Sequence, residues 1–124
     1  MPFTYVVDRA AGIVRATGHG VIRFDDLAAH LEALVAGGVG HLPQLIDARD
    51  AEHDLSVSDM RRLVALVGRL RAAHGLRHRT ALAVSTPVAF GMARMYGALA
   101  ETVDPDFAVF HDLDEADAWL RATG

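Results

Sequence analysis

The sequence contains no cysteine. That excludes a disulfide scaffold, a thiol nucleophile, a cysteine-ligated zinc site and a redox switch. Lysine is absent too, so all twelve basic residues are arginine. No apolar run approaches the ~18 residues that a membrane span needs. The first residues, MPFTYVVDRAAG, lack a basic start followed by a long apolar stretch, so no secretory signal is expected and the expected location is the cytoplasm. Motifs of catalysis are missing as well: there is no G-x-S-x-G elbow, no Walker loop and no GxGxxG. A Ser–His–Asp triad can be assembled on paper from seven histidines and sixteen acids, so the ingredients alone point to nothing. The expectation is a protein that is not an enzyme and carries no cofactor.

What is present is a globular composition, 52% hydrophobic and 23% charged over 124 residues. This length suits a single domain over residues 1–124, large enough to bury roughly two-thirds of the surface its unfolded chain exposes without a metal or a disulfide. The net charge of −4 argues against general nucleic-acid binding. The charges are segregated, however. Six arginines fall between Arg61 and Arg79, and the stretch from Glu101 to Asp117 holds seven acids and no arginine. An arginine strip is ordinarily a solvated helix face; the alternative is a docking surface for an anionic membrane or for the acidic region of a second copy.

The chain reads as alternating strands and helices. FTYVVD is β-branched and aromatic, Asp8 to Gly12 is a turn of hairpin length, and GIVRAT alternates as a return strand ended by Gly18 and Gly20. Asp25 is the expected N-cap of a first helix whose apolar face is Leu27, Leu31, Leu34 and Val35, stopped at Gly37 and Gly38. LPQLIDAR is a short buried strand, placed centrally because Leu45 and Ile46 are adjacent apolar residues. Ser56 with Asp59 approximates a capping box for a second helix with the stripe Met60, Leu63, Val64, Val67 and Leu70, ending at His74-Gly75. RTALAVS is the next strand. Thr86-Pro87 opens a third helix that stops before Asp104-Pro105. FAVFH is the last strand, and Asp112 with Glu115 starts a last helix carrying Leu113, Ala116, Trp119 and Leu120. The order ββαβαβαβα predicts an α/β fold: about five strands in a mixed sheet, the later ones parallel and joined by right-handed crossovers.

LIDAR at the central strand, FGMARMYGALAE in the third helix and VFHDLDEADAWL at the end resemble the SpoIIAA-like family, relatives of STAS domains. The resemblance covers essentially the whole chain, and none of these segments is a catalytic motif. It implies a non-catalytic regulatory module that binds a protein partner, like the anti-sigma-factor antagonists, or a nucleotide, or alternatively carries or senses an apolar or amphipathic small molecule. Peripheral membrane contact and a homodimer are secondary expectations. STAS antagonists carry a phosphorylatable Ser or Thr at the start of the helix after the central strand, within Asp-Ser-Ser/Thr-Gly. Here that region reads Asp54-Leu55-Ser56-Val57-Ser58-Asp59, with the glycine missing and the Asp-Ser pair broken by Leu55.

Each candidate site has a functional and a plain structural reading. Ser56 and Ser58 cap a helix, or accept a phosphate whose charge gains from the helix N-terminus and is opposed by Asp54 and Asp59. Asp47 and Arg49 lie at the carboxyl end of the central strand, where open α/β sheets bind ligands, with Ser85 and Thr86 at the same edge. The plain alternative has Asp47 accepting backbone N–H bonds and Arg49 pairing with Asp50 or Asp54. In the third helix Gly91 and Gly97 each cost about 1 kcal/mol relative to alanine. Close packing offsets that cost, or a ligand pocket does, with Phe90, Met92, Met95 and Tyr96 around the glycines and Arg94 as a holder of an anionic head. No metal site is expected: the one histidine pair spaced i, i+4, His74 and His78, is split by Gly75 and has no neighbouring glutamate.

Overall fold

The computed structural model of the protein describes residues 2–76 and 79–122. The elements run β1 (Phe3–Asp8), β2 (Ile13–Ile22), α1 (Phe24–Ala36), β3 (Gln44–His53), α2 (Val57–His74), β4 (Thr80–Ala83), α3 (Pro87–Leu99), β5 (Phe107–Phe110) and α4 (Leu113–Ala122). The strands form one five-stranded sheet in the order β1-β2-β3-β4-β5, with β3 at its centre. β1 and β2 pair antiparallel, and each later pair is parallel. Asp8 holds the hairpin turn: its carboxylate accepts the Ala11 N–H at 3.1 Å and the Arg15 Nε–H at 3.0 Å.

Every parallel step moves the same way across the sheet, so right-handed crossovers set α1, α2 and α3 on one face. α4 covers the other face, where Ala116 and Leu120 pack with Ile13, Leu45 and Ala81. On the first face, Ala16, Ile46 and Ala48 of the sheet meet Ala89 of α3. The cluster under α2 is different. Its buried members, among them Leu31, Leu63, Val67, Leu70 and Tyr96, come from the three helices and the residues beside them, and none belongs to a strand. α2 therefore rests on α1 and α3 and roofs the sheet rather than lying on it.

The helix signals act as local chemistry requires. The Ser56 hydroxyl accepts the Asp59 N–H at 3.0 Å and the Asp59 carboxylate accepts the Ser56 N–H at 3.1 Å, a complete capping box. Thr86 Oγ1 accepts the Ala89 N–H at 3.1 Å, with Pro87 as the first helical residue. Gly75 closes α2 in the left-handed conformation at φ 67°, which glycine adopts without a Cβ clash.

Four boundaries differ most from the sequence reading: α3 ends at Leu99, with a turn rather than helix before Asp104-Pro105, and three more lie earlier in the chain. β2 does not end at Gly18 and Gly20 but runs to Ile22, and β3 runs past Arg49 to His53. The added halves pair with each other, His19–Ile22 against Asp50–His53, beyond a register shift in which Ala48 and Arg49 of β3 face the single residue Gly18. Glycine suits such a bulge. At Gly18 a Cβ would lie 3.0 Å from Ile22 Cδ1 and 3.1 Å from the Phe3 ring. The first helix starts at Phe24 with Arg23 as N-cap, not Asp25; Asp26 supplies the carboxylate that accepts the Arg23 N–H at 2.9 Å. Burial of Phe24 against the α2 cluster draws the start back, and the Arg62 guanidinium sits 3.9 Å above its ring.

Candidate ligand-binding cavity

Register sets the floor of the site. Gln44 of β3 lies beside Thr80 of β4, and Thr80 beside Phe107 of β5, so the three side chains form a row on the helix-covered face. One step along, Ile46 and Leu82 form the next row, followed by Ala48. Because α2 spans across this surface and Ala48, Ala89 and Ala93 are small, a cavity of about 110 Å³ remains between sheet and helices. Leu27 and Leu31 of α1, Met60, Leu63 and Val67 of α2, and Met92 of α3 line its helix side.

Carbon makes up most of the wall; four of the polar exceptions lie toward the amino ends of the strands and His53 toward the other end of β3. The buried polar side chains of the described residues are His30 (5% exposed), Gln44 (1%), Thr80 (4%) and Asp104 (6%), and all four line this cavity. The His30 ring nitrogen Nε2 hydrogen-bonds the Gln44 carbonyl oxygen. The Tyr96 hydroxyl donates to Asp104 Oδ2 at 2.9 Å, and its ring meets Phe107 edge-on at 5.0 Å. Loss of solvent lowers the His30 pKa, partly countered by the bond to Gln44, and raises the Asp104 pKa, partly countered by the Tyr96 hydroxyl. Desolvation also holds the Tyr96 hydroxyl protonated, far above its ordinary range. His53, at the other end of β3, lines the same cavity; its Nδ1 is buried without a partner among the described residues, and burial lowers its pKa. Among the described residues no arginine lines the wall.

The residues singled out from sequence fall in three places. Met92 lines the cavity. Phe90 and Arg94 line a separate open groove between α3 and β5, together with Gly97 and Phe107, and the Phe90 ring stacks on His111 at 4.4 Å. Gly91 is exposed with open space where a side chain would be, and Met95 is 44% exposed. A Cβ on Gly97 would sit 3.4 Å from the Phe107 ring, so the close approach of α3 to β5 accounts for that glycine. Asp47, Arg49 and Ser85 do meet at the carboxyl end of the strands, but in bonds to one another. Arg49 Nε and Nη2 donate to the Asp47 carboxylate at 2.8 and 2.9 Å, and the Ser85 hydroxyl donates to the Arg49 carbonyl at 2.6 Å. Asp47, rather than Asp50 or Asp54, is thus the partner of Arg49, and this bond holds the Asp47 pKa low. Asp54 pairs instead with Arg23 at 3.4 Å. Thr86 is occupied in capping α3.

Ser56 and Ser58 are exposed at the start of α2. The arginine strip is partly engaged: Arg62 covers Phe24 and pairs with Asp59 at 3.4 Å, and Arg79 stacks 4.2 Å over Trp119. Arg77 and His78 lie outside the described residues. Among the described residues no group of three His, Asp or Glu side chains is placed to hold a metal, and no helix is long and apolar enough to cross a membrane.

Sequence reasoning missed the polar end of the cavity. Signals for it exist: Gln44 and Thr80 are polar openings of apolar strands, and His30 lies on the stripe of Leu27, Leu31 and Leu34.

A hairpin-led mixed sheet with three crossover helices on one face and a terminal helix on the other is the SpoIIAA-like fold. The protein matches a solved structure of an uncharacterized DUF3478-family protein with a SpoIIAA-like fold from Shewanella loihica PV-4, at TM-score 0.62 and 16% identity over 95% of this chain and 93% of that one. It also matches an anti-sigma factor antagonist from Mycobacterium paratuberculosis, at TM-score 0.60 and 20% identity over 96% of this chain and 94% of that one. No protein-family model matches the sequence, and no curated protein does.

Proposed function

We propose that the protein is a non-catalytic regulatory module whose signal is a small apolar molecule held beneath α2. The observation that carries this reading is the cavity: a space of about 110 Å³, walled mainly by carbon, in a domain small enough that close packing is the norm. Such a void forfeits dispersion contacts that an occupant would restore. Its size is near that of cavities that accept benzene. Native mass spectrometry of gently purified protein is the test. The expected result is an added non-covalent mass of a small neutral molecule, absent from an Ala89→Leu variant. A bare mass, together with no rise in melting temperature on adding toluene, would overturn the proposal, because a molecule that binds only the folded state must stabilise it.

A second reading is favoured by the likeness in fold to an anti-sigma factor antagonist. Here the exposed start of α2 docks a protein partner, with Ser56 and Ser58 as the site of control and Val57, 47% exposed between them, as an apolar contact. Phosphate there would meet the free N–H groups of the helix start and the opposing charge of Asp54 and Asp59. Alanine at both serines then abolishes partner binding or its control in a pull-down; unchanged capture and unchanged control would dismiss the switch.

A further inference from the structure

Among the described residues two buried side-chain nitrogens have no hydrogen-bond partner, Nδ1 of His53 and Nε of Arg79. Arg79 belongs to the contact with Trp119 of α4; His53 lines the cavity. The polar side chains at the amino ends of the strands are already engaged, His30 with Gln44, Tyr96 with Asp104, and Thr80 as well. The bulge is what brings His53 to the wall. Gln44, Ile46 and Ala48 alternate onto the helix-covered face of β3, and strict alternation would bring Asp50 and Glu52 after them. Ala48 and Arg49 together face Gly18, and that extra residue reverses the alternation. Ala51 is buried with Ala48 instead, His53 follows it onto the cavity wall, and Asp50 and Glu52 are exposed. As a residue His53 is only partly buried, while its Nδ1 is closed off from solvent, so that nitrogen is on the inward side of the ring. A buried nitrogen left unpaired costs free energy that a hydrocarbon side chain at this position would not.

On the reading that the cavity takes a ligand, we infer that this ligand carries one hydroxyl, which hydrogen-bonds His53 Nδ1, on a hydrocarbon body of about the size of a benzene ring. A hydroxyl both donates and accepts, so it serves the neutral ring whichever nitrogen holds the proton. Burial favours that neutral ring, and among the described residues no arginine lines the wall. A carboxylate or phosphate head would therefore be buried without a cation. Water is the weaker occupant: a buried water needs roughly two to four polar partners, and Leu55 and Met60, the next residues along the chain to line the cavity, bring apolar side chains.

Toluene, phenol and benzoate are the probes, titrated calorimetrically at pH 7.5 into the full chain and into two variants. His53→Leu removes the nitrogen; His53→Asn sets a side-chain amide atom where Nδ1 stands. The expected result is that phenol binds the unsubstituted chain at least as tightly as toluene, and benzoate more than ~10-fold more weakly than phenol. In His53→Leu phenol weakens roughly tenfold, about the upper limit for one hydrogen bond, while toluene stays within about threefold. In His53→Asn phenol stays within about threefold. Ring-nitrogen NMR spectra of the unsubstituted chain answer the same question should a variant fail to fold: phenol displaces the Nδ1 resonance of His53 further than toluene does. Toluene binding with phenol excluded, benzoate matching phenol, phenol unaffected by His53→Leu, phenol lost equally in both variants, or a His53 resonance that does not distinguish phenol from toluene would overturn the inference and leave the apolar-ligand reading standing. Failure of all three probes to bind would remove both.

Discussion

Ala89→Leu tests whether the space under α2 is as large as the structure draws it. Ala89 is buried in the first turns of α3 and lines the cavity. A void of about 110 Å³ corresponds to about 2.6 kcal/mol of stability forgone, at ~24 cal/mol per Å³. Leucine adds three carbons, which gain about 2.4 kcal/mol when fully buried at ~0.8 kcal/mol each. Fixing the new side chain costs about 0.5–1 kcal/mol. Helix propensity barely opposes the change, since leucine is close to alanine. The net expectation is a gain of about 1.5 kcal/mol, read as a higher urea midpoint at unchanged slope and as a melting temperature raised by about 5 °C or more. The same variant loses toluene binding. Most core substitutions lower stability, so a more stable protein that no longer binds is a specific outcome. A loss of more than about 1 kcal/mol, the usual sign of overpacking, would show that the side chains around Ala89 do not leave the room, and the cavity argument would fall with it.

Three further perturbations follow from the same contacts. Burial raises the Asp104 pKa above 3.8, so its contribution to stability is complete below the unfolded value and is lost as pH rises through the folded one; Asp104→Asn, which keeps an acceptor for the Tyr96 hydroxyl, should gain on the wild type from pH 4 to pH 7 in urea titrations, and an advantage that stays flat or shrinks would contradict the assignment. Arg79 stacks over Trp119 and donates from Nη2 to its carbonyl at 3.1 Å; Arg79→Ala should cost about 1–2 kcal/mol and shift to the red the emission of Trp119, the only tryptophan, whereas an unmoved spectrum would mean that α4 is held by its apolar face alone. Ser56→Ala should cost about 1 kcal/mol through loss of the cap, while exposed Ser58→Ala changes stability by less than about 0.5 kcal/mol; equal effects in denaturant melts would refute the division of roles.

The fold was legible because local signals agreed with one another. Asp8 to Gly12, Ser56 with Asp59, Thr86-Pro87 and His74-Gly75 each specify a turn or a helix end through a side-chain or backbone requirement that needs no tertiary context. The boundaries that differ are those where tertiary contacts prevail. Gly18 and Gly20 resemble strand breakers, and DAEH resembles loop, until their pairing across the bulge supplies the missing hydrogen bonds. Phe24 starts α1 early because its ring is covered by the α2 cluster and Arg62.

The candidate site was less legible, and the reason is geometric. The carboxyl ends of the strands are where open α/β sheets usually bind, and Asp47, Arg49 and Ser85 stand there as expected, but their polar groups are turned on one another. The polar end of the cavity lies at the opposite ends of the same strands, in Gln44 and Thr80, and its existence depends on α2 standing off the sheet, a property no residue spacing encodes. α2 also joins the two readings of function. Leu55 and Met60 line the cavity on either side of Ser56, whose hydroxyl caps the helix and whose carbonyl accepts the Met60 N–H at 3.0 Å. On the proposed reading, a ligand that reaches Leu55 and Met60 would touch the turn that presents Ser56 and Ser58 to solvent. On the two proposed readings, a molecule in the cavity and a partner at the helix start would act on the same turn of backbone.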